Sequence, residues 1–192
     1  FDDRDLSFLG RRHTAEEADK AIEKVRSSGF DNMGIDLIYG LEPQTMGGWK
    51  TVLRKVLSYR PEHISCYQLT VEKKTPLGRM RDQGLINPIG EEMESFYFLT
   101  TSAFLEEAGY VHYEISNFAK HGSACSRHNL KYWQHVPYLG LGPSAHSFKN
   151  SGRWWNTRSV RQYCEALEQG EVPVEGREKL TEEQKRMEAV SL

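Results

Sequence analysis

The stretch GIDLIYG, residues 34–40, decides the fold class of this chain. Apolar side chains at Ile35, Leu37 and Tyr39 alternate with Gly34 and Asp36, which predicts a strand over residues 33–41 with one apolar and one small, partly polar face. An ionised carboxylate is costly to bury in such a strand unless something pairs with it. We therefore expect Asp36 to meet a ligand or an internal partner.

The flanking sequence alternates helical and strand patterns. Thr14 followed by Glu17 forms a capping box, which predicts a helix over 14–28 that Gly29 ends. Periodicity further predicts a helix over 49–57, a strand over 63–71, a helix over 91–108 with Met93, Phe96, Thr100 and Phe104 on one side, and a strand over 110–116. Connections too long for hairpins indicate crossovers, so the predicted class is α/β with parallel strands.

The sequence changes character after these elements. Residues from about 117 to 155 are dense in His, Asn, Trp and Gly and are expected to be a long functional loop region. A helix is predicted near 159–169, and a second helical pattern begins at Thr181 and runs to Leu192. Three strands cannot close a barrel, so the sheet is expected to be an arc or edge of something larger.

Composition excludes several classes of protein. The 192 residues are 38% hydrophobic and 27% charged with a net charge of −2, which predicts a globular protein without a nucleic-acid partner. No apolar stretch is long enough to span a bilayer, so a soluble, cytoplasmic protein is expected. Cys66, Cys125 and Cys164 stand far apart and are expected to be reduced thiols.

Two loop segments are candidate ligand contacts. Arg11 and Arg12 precede the capped helix, where a guanidinium can reach a carboxylate or a ribose, although two adjacent arginines on a loop are more often solvated. The segment GLGPSAHS, residues 140–147, lets the backbone approach a ligand closely through its glycines. It lacks the Lys of a phosphate-binding loop.

A third candidate segment spans residues 127–133. It combines His128 with Asn129, Tyr132 and Trp133, and a neutral imidazole is a common haem iron ligand. A single histidine inside an aromatic cluster is nevertheless more often structural. The residues alone do not choose between His128 and four other histidines, which are His112, His121, His135 and His146.

Several segments together resemble one family. They are FDD (1–3), LGRRH (9–13), DLIYGL (36–41), PEHIS (61–65), YEISNFA (113–119) and HNLKYW (128–133). In this order they are similar to the radical SAM HemN/HemW family, the oxygen-independent coproporphyrinogen III oxidase group. The resemblance implies the C-terminal part of an incomplete barrel of six strand–helix units, in which residues 32–40 and 63–70 form the last two strands.

The resemblance also implies cofactors. Family members hold a [4Fe–4S] cluster on a CxxxCxxC loop, and no such triplet occurs in this chain, whose resemblance begins past the fourth barrel strand. The chain is therefore expected to lack the cluster and to be catalytically incompetent alone. For S-adenosylmethionine, the resemblance implies side-chain contacts from Arg11 and Asp36, and contacts through the backbone from Thr70 and His146.

Within the family, the segment SRHNLKYW, residues 126–133, is most similar to the haem chaperone branch. This makes His128 the preferred ligand of a haem iron and implies delivery of haem to a recipient haemoprotein, including a membrane-bound one. The alternative is oxidative decarboxylation of coproporphyrinogen III. One departure from the family is Glu42-Pro43 in place of Pro-Gly, which questions the local turn geometry.

The implied domain organisation has three parts. Residues 1–116 would be the C-terminal part of the barrel, and residues 117–170 a loop-rich extension that contacts haem and S-adenosylmethionine. Residues 171–192 would begin a helical domain.

Overall fold

The computed structural model describes residues 1–190 of the chain. By internal contacts the chain divides into two compact units, one from Phe1 to Cys125 and one from Ser126 onwards. The predicted three-part division into family domains stays a prediction.

The first unit contains five helices and four strands. In chain order they are α1 (Asp3–Phe8), α2 (Ala15–Ser27), β1 (Gly34–Tyr39), α3 (Met46–Ser58), β2 (His63–Gln68), α4 (Pro76–Asp82), α5 (Glu91–Glu107), β3 (Val111–His112) and β4 (Asn117–Ala119). A 3₁₀ helix follows at Gly122–Ala124. The strands form one sheet in the order β1-β2-β4-β3.

The predicted α/β class is confirmed, but the sheet is mixed. Strands β1 and β2 are parallel, with Gly34 opposite His63 and Asp36 opposite Ser65. The expectation of a third parallel strand over 110–116 is wrong, because the chain turns back after His112 and β3 pairs antiparallel with β4. Strand β4 is in turn antiparallel to β2.

Two local predictions near the start of this unit are confirmed, namely the capping box of α2 and the apolar face of β1. Thr14 Oγ1 accepts from the backbone N–H of Glu17, and Glu17 accepts from the N–H of Thr14, as the sequence predicts for the start of α2. In β1, residues Ile35, Leu37 and Tyr39 are buried in the core. Strand β1 therefore presents its apolar face to the helices.

The core lies between this sheet and helices α3 and α5. Trp49 and Leu53 of α3 are fully buried, and the indole N–H of Trp49 donates to Thr101 Oγ1 of α5 at 2.8 Å. Tyr97, Thr101 and Leu105 are the buried residues of α5, and of the side predicted from periodicity Phe104 packs against the core. Met93 and Phe96 are about half exposed instead. The helix is apolar on several sides, so periodicity did not identify the face that meets the sheet.

The second unit contains three helices and three strands among the described residues. They are α6 (Arg127–Trp133), β5 (His146–Lys149), β6 (Gly152–Asn156), α7 (Val160–Glu168), β7 (Val174–Lys179) and α8 (Glu182–Val190). The strands form an antiparallel sheet in the order β5-β6-β7. The helix predicted near 159–169 is confirmed by α7.

The expectation of a loop region up to residue 155 is wrong, because β4, α6, β5 and β6 lie within it. Strands β5 and β6 form a hairpin whose two-residue turn, Asn150-Ser151, has positive φ at both positions (52° and 64°). A two-residue turn with positive φ at both positions has a backbone twist that matches the twist of the paired strands. The helical pattern from Thr181 corresponds to α8, and its last two residues lie outside the described part of the chain.

No helix within residues 1–190 is both long enough and apolar enough to cross a membrane.

Candidate functional site

Asp36 lies on the face of β1 that points away from the helical core. Gly34 and Ile38 share that face, and both Gly34 and Asp36 are exposed. The expectation that this carboxylate is buried is therefore wrong, whereas the expected contact with a ligand stays a prediction. The alternation of the strand identified the correct face, but exposure depends on what covers that face, and the open sheet leaves Asp36 accessible.

A cleft of about 560 Å³ lies along β1 and reaches α1 and α2. Arg11, His13 and Asp36 are among its polar lining residues, whereas Ile22 and Leu37 are among its apolar ones. Two of the four residues predicted to contact S-adenosylmethionine, Arg11 and Asp36, thus line one cavity. This size is within the range of small-molecule sites.

The other two predicted contacts are Thr70 in the first unit and His146 in the second. Thr70 is exposed just beyond the end of β2, and the lining residues of the cleft run only from Phe1 to Val52. His146 is exposed at the start of β5 in the second unit. The structure therefore brings Arg11 and Asp36 together and leaves Thr70 outside their cleft.

The turn after β1 is closed by polar contacts despite the displaced proline. Gly40 adopts a positive φ of 80°, and its backbone N–H donates to Gln44 Oε1 at 3.1 Å. Gln44 Nε2 donates to Asp5 Oδ2 at 3.0 Å, and the Gln44 N–H donates to the Leu41 carbonyl. Asp5 Oδ1 is buried without a hydrogen-bond partner in the described structure. The turn at Pro43 is thus tied to α1, on the wall of the cleft.

His63 and Tyr113 form a pair that sequence analysis did not single out. The His63 Nε2 atom and the Tyr113 hydroxyl are 2.7 Å apart, although the residues are 50 positions apart. Burial lowers the pKa of His63 below its usual value, while the carboxylates of Asp36 and Glu114 act in the opposite direction. The pair lies on the same face of the sheet as Asp36, since Gly34 is opposite His63.

An ion pair holds the start of β1 in place. Arg26 Nη2 and Glu62 Oε2 are 2.8 Å apart, and the same carboxylate oxygen accepts from the Met33 N–H at 3.0 Å. Although burial opposes ionisation, the Met33 N–H and the Arg26 guanidinium lower the pKa of Glu62. The end of α2 is thereby joined to the start of both parallel strands.

In the second unit, His128 lies exposed on the short helix α6. The helix begins where Ser126 Oγ accepts from the Asn129 N–H at 3.3 Å. The imidazole of His128 packs edge-on against Tyr132, one turn later, with ring centroids 5.0 Å apart, and Tyr132 packs in the same way against Tyr138 at 4.7 Å. An accessible imidazole beside aromatic walls can bind the iron of a flat macrocycle.

The end of α6 and the sequence that follows it expose several apolar side chains. Leu139 and Leu141 are 70% and 80% exposed, and Trp133 and Val136 are also partly exposed. Large apolar patches on a protein surface often mark binding sites. This segment is therefore suited to an apolar ligand or partner.

The glycine-containing loop is held rigidly by polar side chains. Asn156 Nδ2 donates to the Gly142 carbonyl at 2.9 Å, and the Gly142 N–H donates to the Tyr163 hydroxyl at 3.0 Å. The Gly140 N–H donates to Ser147 Oγ at 2.9 Å, and a side chain at Gly140 would collide with the backbone of His146. These contacts fix the positions of Gly140 and Gly142 in the loop.

Among the described residues, no three or more His, Cys, Asp or Glu side chains are grouped to hold a metal ion. The buried Cys66 thiol has its pKa raised by burial and then by the Asp36 carboxylate, which disfavours the thiolate that a cluster needs. The residues present therefore do not fit an iron–sulfur cluster.

Comparison with known proteins places these features in a family. No family model matches the chain. It is 34% identical over 168 residues to "Heme chaperone HemW" of Synechocystis, which covers 88% of this chain and 40% of that protein. It is 32% identical to "Heme chaperone HemW" of Bacillus subtilis, over all of this chain and 50% of that protein.

A mouse protein, "Radical S-adenosyl methionine domain-containing protein 1, mitochondrial", is 37% identical over 84% of this chain and 36% of its own length. The chain belongs to the radical SAM HemN/HemW family. It spans half the length or less of these HemN/HemW relatives.

The fold of a solved HemN/HemW member agrees. The structure described as "Coproporphyrinogen III oxidase (HemN) from Escherichia coli is a Radical SAM enzyme" has a TM-score of 0.71 and 21% identity, and the match covers 99% of this chain and 46% of that one. At this identity the likeness shows the fold alone.

Proposed function

We propose that the protein is a haem chaperone of the HemW type, which binds haem and delivers it to a recipient haemoprotein. The observation that carries this proposal is the exposed imidazole of His128 on α6, packed against Tyr132 beside a segment of exposed apolar side chains. The similarity to proteins named "Heme chaperone HemW" supports it. A cytoplasmic location and a membrane-bound recipient stay predictions.

The test is a haemin titration of the full-length protein and its His128→Ala variant, followed by absorbance in the Soret region. We expect the variant to lose the spectrum of histidine-ligated iron, because alanine offers no ligand. The matched control is His121→Ala, since His121 is another exposed histidine, and its imidazole hydrogen-bonds only to the neighbouring Ser123 in the described structure. Equal spectra for all three proteins would remove His128 from the site.

We further infer that the cleft along β1 binds the nucleoside part of S-adenosylmethionine. Asp36 would accept hydrogen bonds from ribose hydroxyls, and Arg11 would pair with a carboxylate or the nucleoside. The backbone contacts that the resemblance implies for Thr70 and His146 stay predictions. In this proposal β1 and β2 are the last two strands of the incomplete barrel, and the cluster ligands lie outside this chain.

Binding of S-adenosylhomocysteine measured by calorimetry tests this part. Asp36→Asn should weaken binding about tenfold, the equivalent of about 1.4 kcal/mol, because an amide accepts less strongly than a carboxylate. Asp31→Asn, an exposed residue before the strand, is the control. Unchanged affinity in Asp36→Asn would contradict the assignment.

The alternative function is oxygen-independent oxidation of coproporphyrinogen III, which the family resemblance also implies. Decarboxylation of coproporphyrinogen III by the reconstituted full-length protein would support this alternative. Its absence, together with haem binding that depends on His128, would support the chaperone.

A further inference from the structure

A row of aromatic rings connects the exposed imidazole of His128 with the interior of the second unit. His128 packs edge-on against Tyr132 with ring centroids 5.0 Å apart, and Tyr132 packs edge-on against Tyr138 at 4.7 Å. The ring of Tyr138 then lies 6.3 Å from that of Phe148, which is 6% exposed. The candidate haem ligand is therefore the outer end of a row whose inner end is buried.

Tyr138 is held in this row through its backbone as well as its ring. Its N–H donates to the Phe148 carbonyl, and its carbonyl accepts from the Phe148 N–H, both at 2.9 Å. Phe148 belongs to β5, which is an edge strand of the antiparallel sheet. The two hydrogen bonds join Tyr138 to that strand as an isolated antiparallel bridge. The position of Tyr138 is thus set by the sheet and not by α6.

The end of α6 is fixed against the same buried ring. The N–H of His135 donates to the Tyr132 carbonyl, and the next N–H along the chain donates to the Lys131 carbonyl, which is the pairing of a Schellman motif. His135 adopts a positive φ of 50° at the position where glycine is usual. Its imidazole lies 5.7 Å from the Phe148 ring, and its Nε2 is 3.1 Å from Glu188 Oε2. These side-chain contacts hold the helix end in a conformation that residues other than glycine rarely adopt.

The contact with Tyr132 sets the orientation of the His128 imidazole. In metal sites a ligating imidazole is usually oriented by a hydrogen bond to its second ring nitrogen. Among the described residues, the His128 imidazole has the edge-on contact with Tyr132 instead, at an interplanar angle of 79°. Because Tyr132 is itself 40% exposed on a short helix, its ring needs a second support to keep that angle. Tyr138 supplies this support, at an interplanar angle of 75°.

We propose that Tyr138 is a positioning residue of the haem site, which acts through Tyr132 to fix the orientation in which the His128 imidazole ligates the iron. The inference rests on the proposed haem chaperone function and deepens it by a residue outside the helix that carries the ligand. In this role the ring of Tyr138 acts and its hydroxyl does not, and Tyr138 need not contact the iron.

The test compares Tyr138→Leu with Tyr138→Phe in the full-length protein loaded with haemin. The g values in the electron paramagnetic resonance spectrum of a ferric haem depend on the orientation of the ligating imidazole. Tyr138→Leu should therefore shift these g values or split them into more than one set, and should lower haemin affinity about threefold to tenfold. Tyr138→Phe is the matched control. It should keep both the g values and the affinity, because it retains the ring.

A double-mutant cycle shows whether Tyr138 acts through Tyr132. Tyr132→Leu should also change the g values, and the variant with both substitutions should lose no more haemin affinity than Tyr132→Leu alone. Losses of affinity that add would show that Tyr138 acts by another route and would overturn the inference. If circular dichroism shows that Tyr138→Leu does not fold, Tyr132→Leu tests the row from its exposed end, and unchanged g values there would overturn the inference in the same way.

The outcomes separate this inference from the proposed function. If haemin does not bind the unmodified protein, the chaperone proposal is wrong and the inference falls with it. If haemin binds through His128, but Tyr138→Leu keeps the g values and the affinity of the unmodified protein, only the positioning role is wrong. If Tyr138→Phe behaves like Tyr138→Leu, the hydroxyl acts and the proposed role of the ring is wrong.

Discussion

The two units of the molecule are stabilised in different ways. In the unit from Phe1 to Cys125, a continuous apolar core joins the parallel strands to α3 and α5. In the unit from Ser126 onwards, Phe148 and Leu180 are the buried apolar side chains within the described residues, and polar contacts fix the loops. The first unit is therefore stabilised mainly by the burial of apolar side chains, whereas the second is stabilised mainly by hydrogen bonds and ion pairs.

The strongest test of this difference is Trp49→Ala in the first unit. Trp49 is fully buried and its N–H donates to the Thr101 hydroxyl, so the substitution leaves a cavity and removes one of the two hydrogen bonds of that hydroxyl, which also donates to the Tyr97 carbonyl. We expect the free energy of unfolding to fall by about 3–5 kcal/mol, as for other buried aromatic truncations. Urea denaturation followed by circular dichroism measures it, with the partly exposed Trp154→Ala in the second unit as the comparison. Equal losses of unfolding free energy in the two variants would contradict the proposed difference between the units.

Glu62→Gln tests the polar contribution inside the first unit. Removing the charge weakens the contacts with Arg26 and Met33, with an expected loss of about 1.5–3 kcal/mol at neutral pH. Because the folded-state pKa of Glu62 is lowered, its contribution is complete above the unfolded pKa of about 4.3 and is lost as the pH falls through the folded value. Denaturation curves of both proteins should therefore converge in acid. A difference that persists at low pH would point to packing rather than charge.

Gly140→Ala tests the rigidity of the second unit. The added methyl group would collide with the carbonyl of His146, so the loop must shift at a cost of about 1–3 kcal/mol. The control is Gly47→Ala, since an added Cβ there meets no atom within 4 Å. Unchanged stability in Gly140→Ala would show that the loop is not held.

The smallest effect is expected for Glu188→Gln on α8. Although burial opposes ionisation, Arg153 and His135 lower the pKa of Glu188, and its side chain remains 38% exposed. Solvent screening limits such a pair to about 0.2–1 kcal/mol. The thermal midpoint of the variant should fall slightly at neutral pH and match the unmodified protein in acid. A loss of stability as large as that of Trp49→Ala would show that this exposed ion pair matters as much as the buried core.

The sequence predicts the first unit better than the second for physical reasons. The capping box at Thr14 and the alternation around Asp36 are local patterns that follow from backbone geometry. The exposure of Asp36, by contrast, depends on what covers the sheet. The hairpin turn at Asn150-Ser151 relies on positive φ at residues other than glycine, which weakens its sequence signal.

The residues of the candidate site show the same difference between local sequence patterns and contacts that depend on the fold. Arg11 and Asp36 were found from their motifs and lie along one cleft. The pairing of His63 with Tyr113 joins residues far apart in the chain, and no local pattern contains it. The stacking of His146 on Trp155 likewise depends on a strand register that periodicity alone did not predict.

The burial of Trp49 also distinguishes the two units by their tryptophan fluorescence. Of its four tryptophans, Trp49 alone belongs to the first unit, and the other three lie at positions 133, 154 and 155. A sheltered indole emits at shorter wavelength than one in contact with water. Blue-shifted tryptophan fluorescence should therefore report on the first unit. The red-shifted fluorescence of the other three indoles should be quenched when an iron porphyrin binds to the second unit.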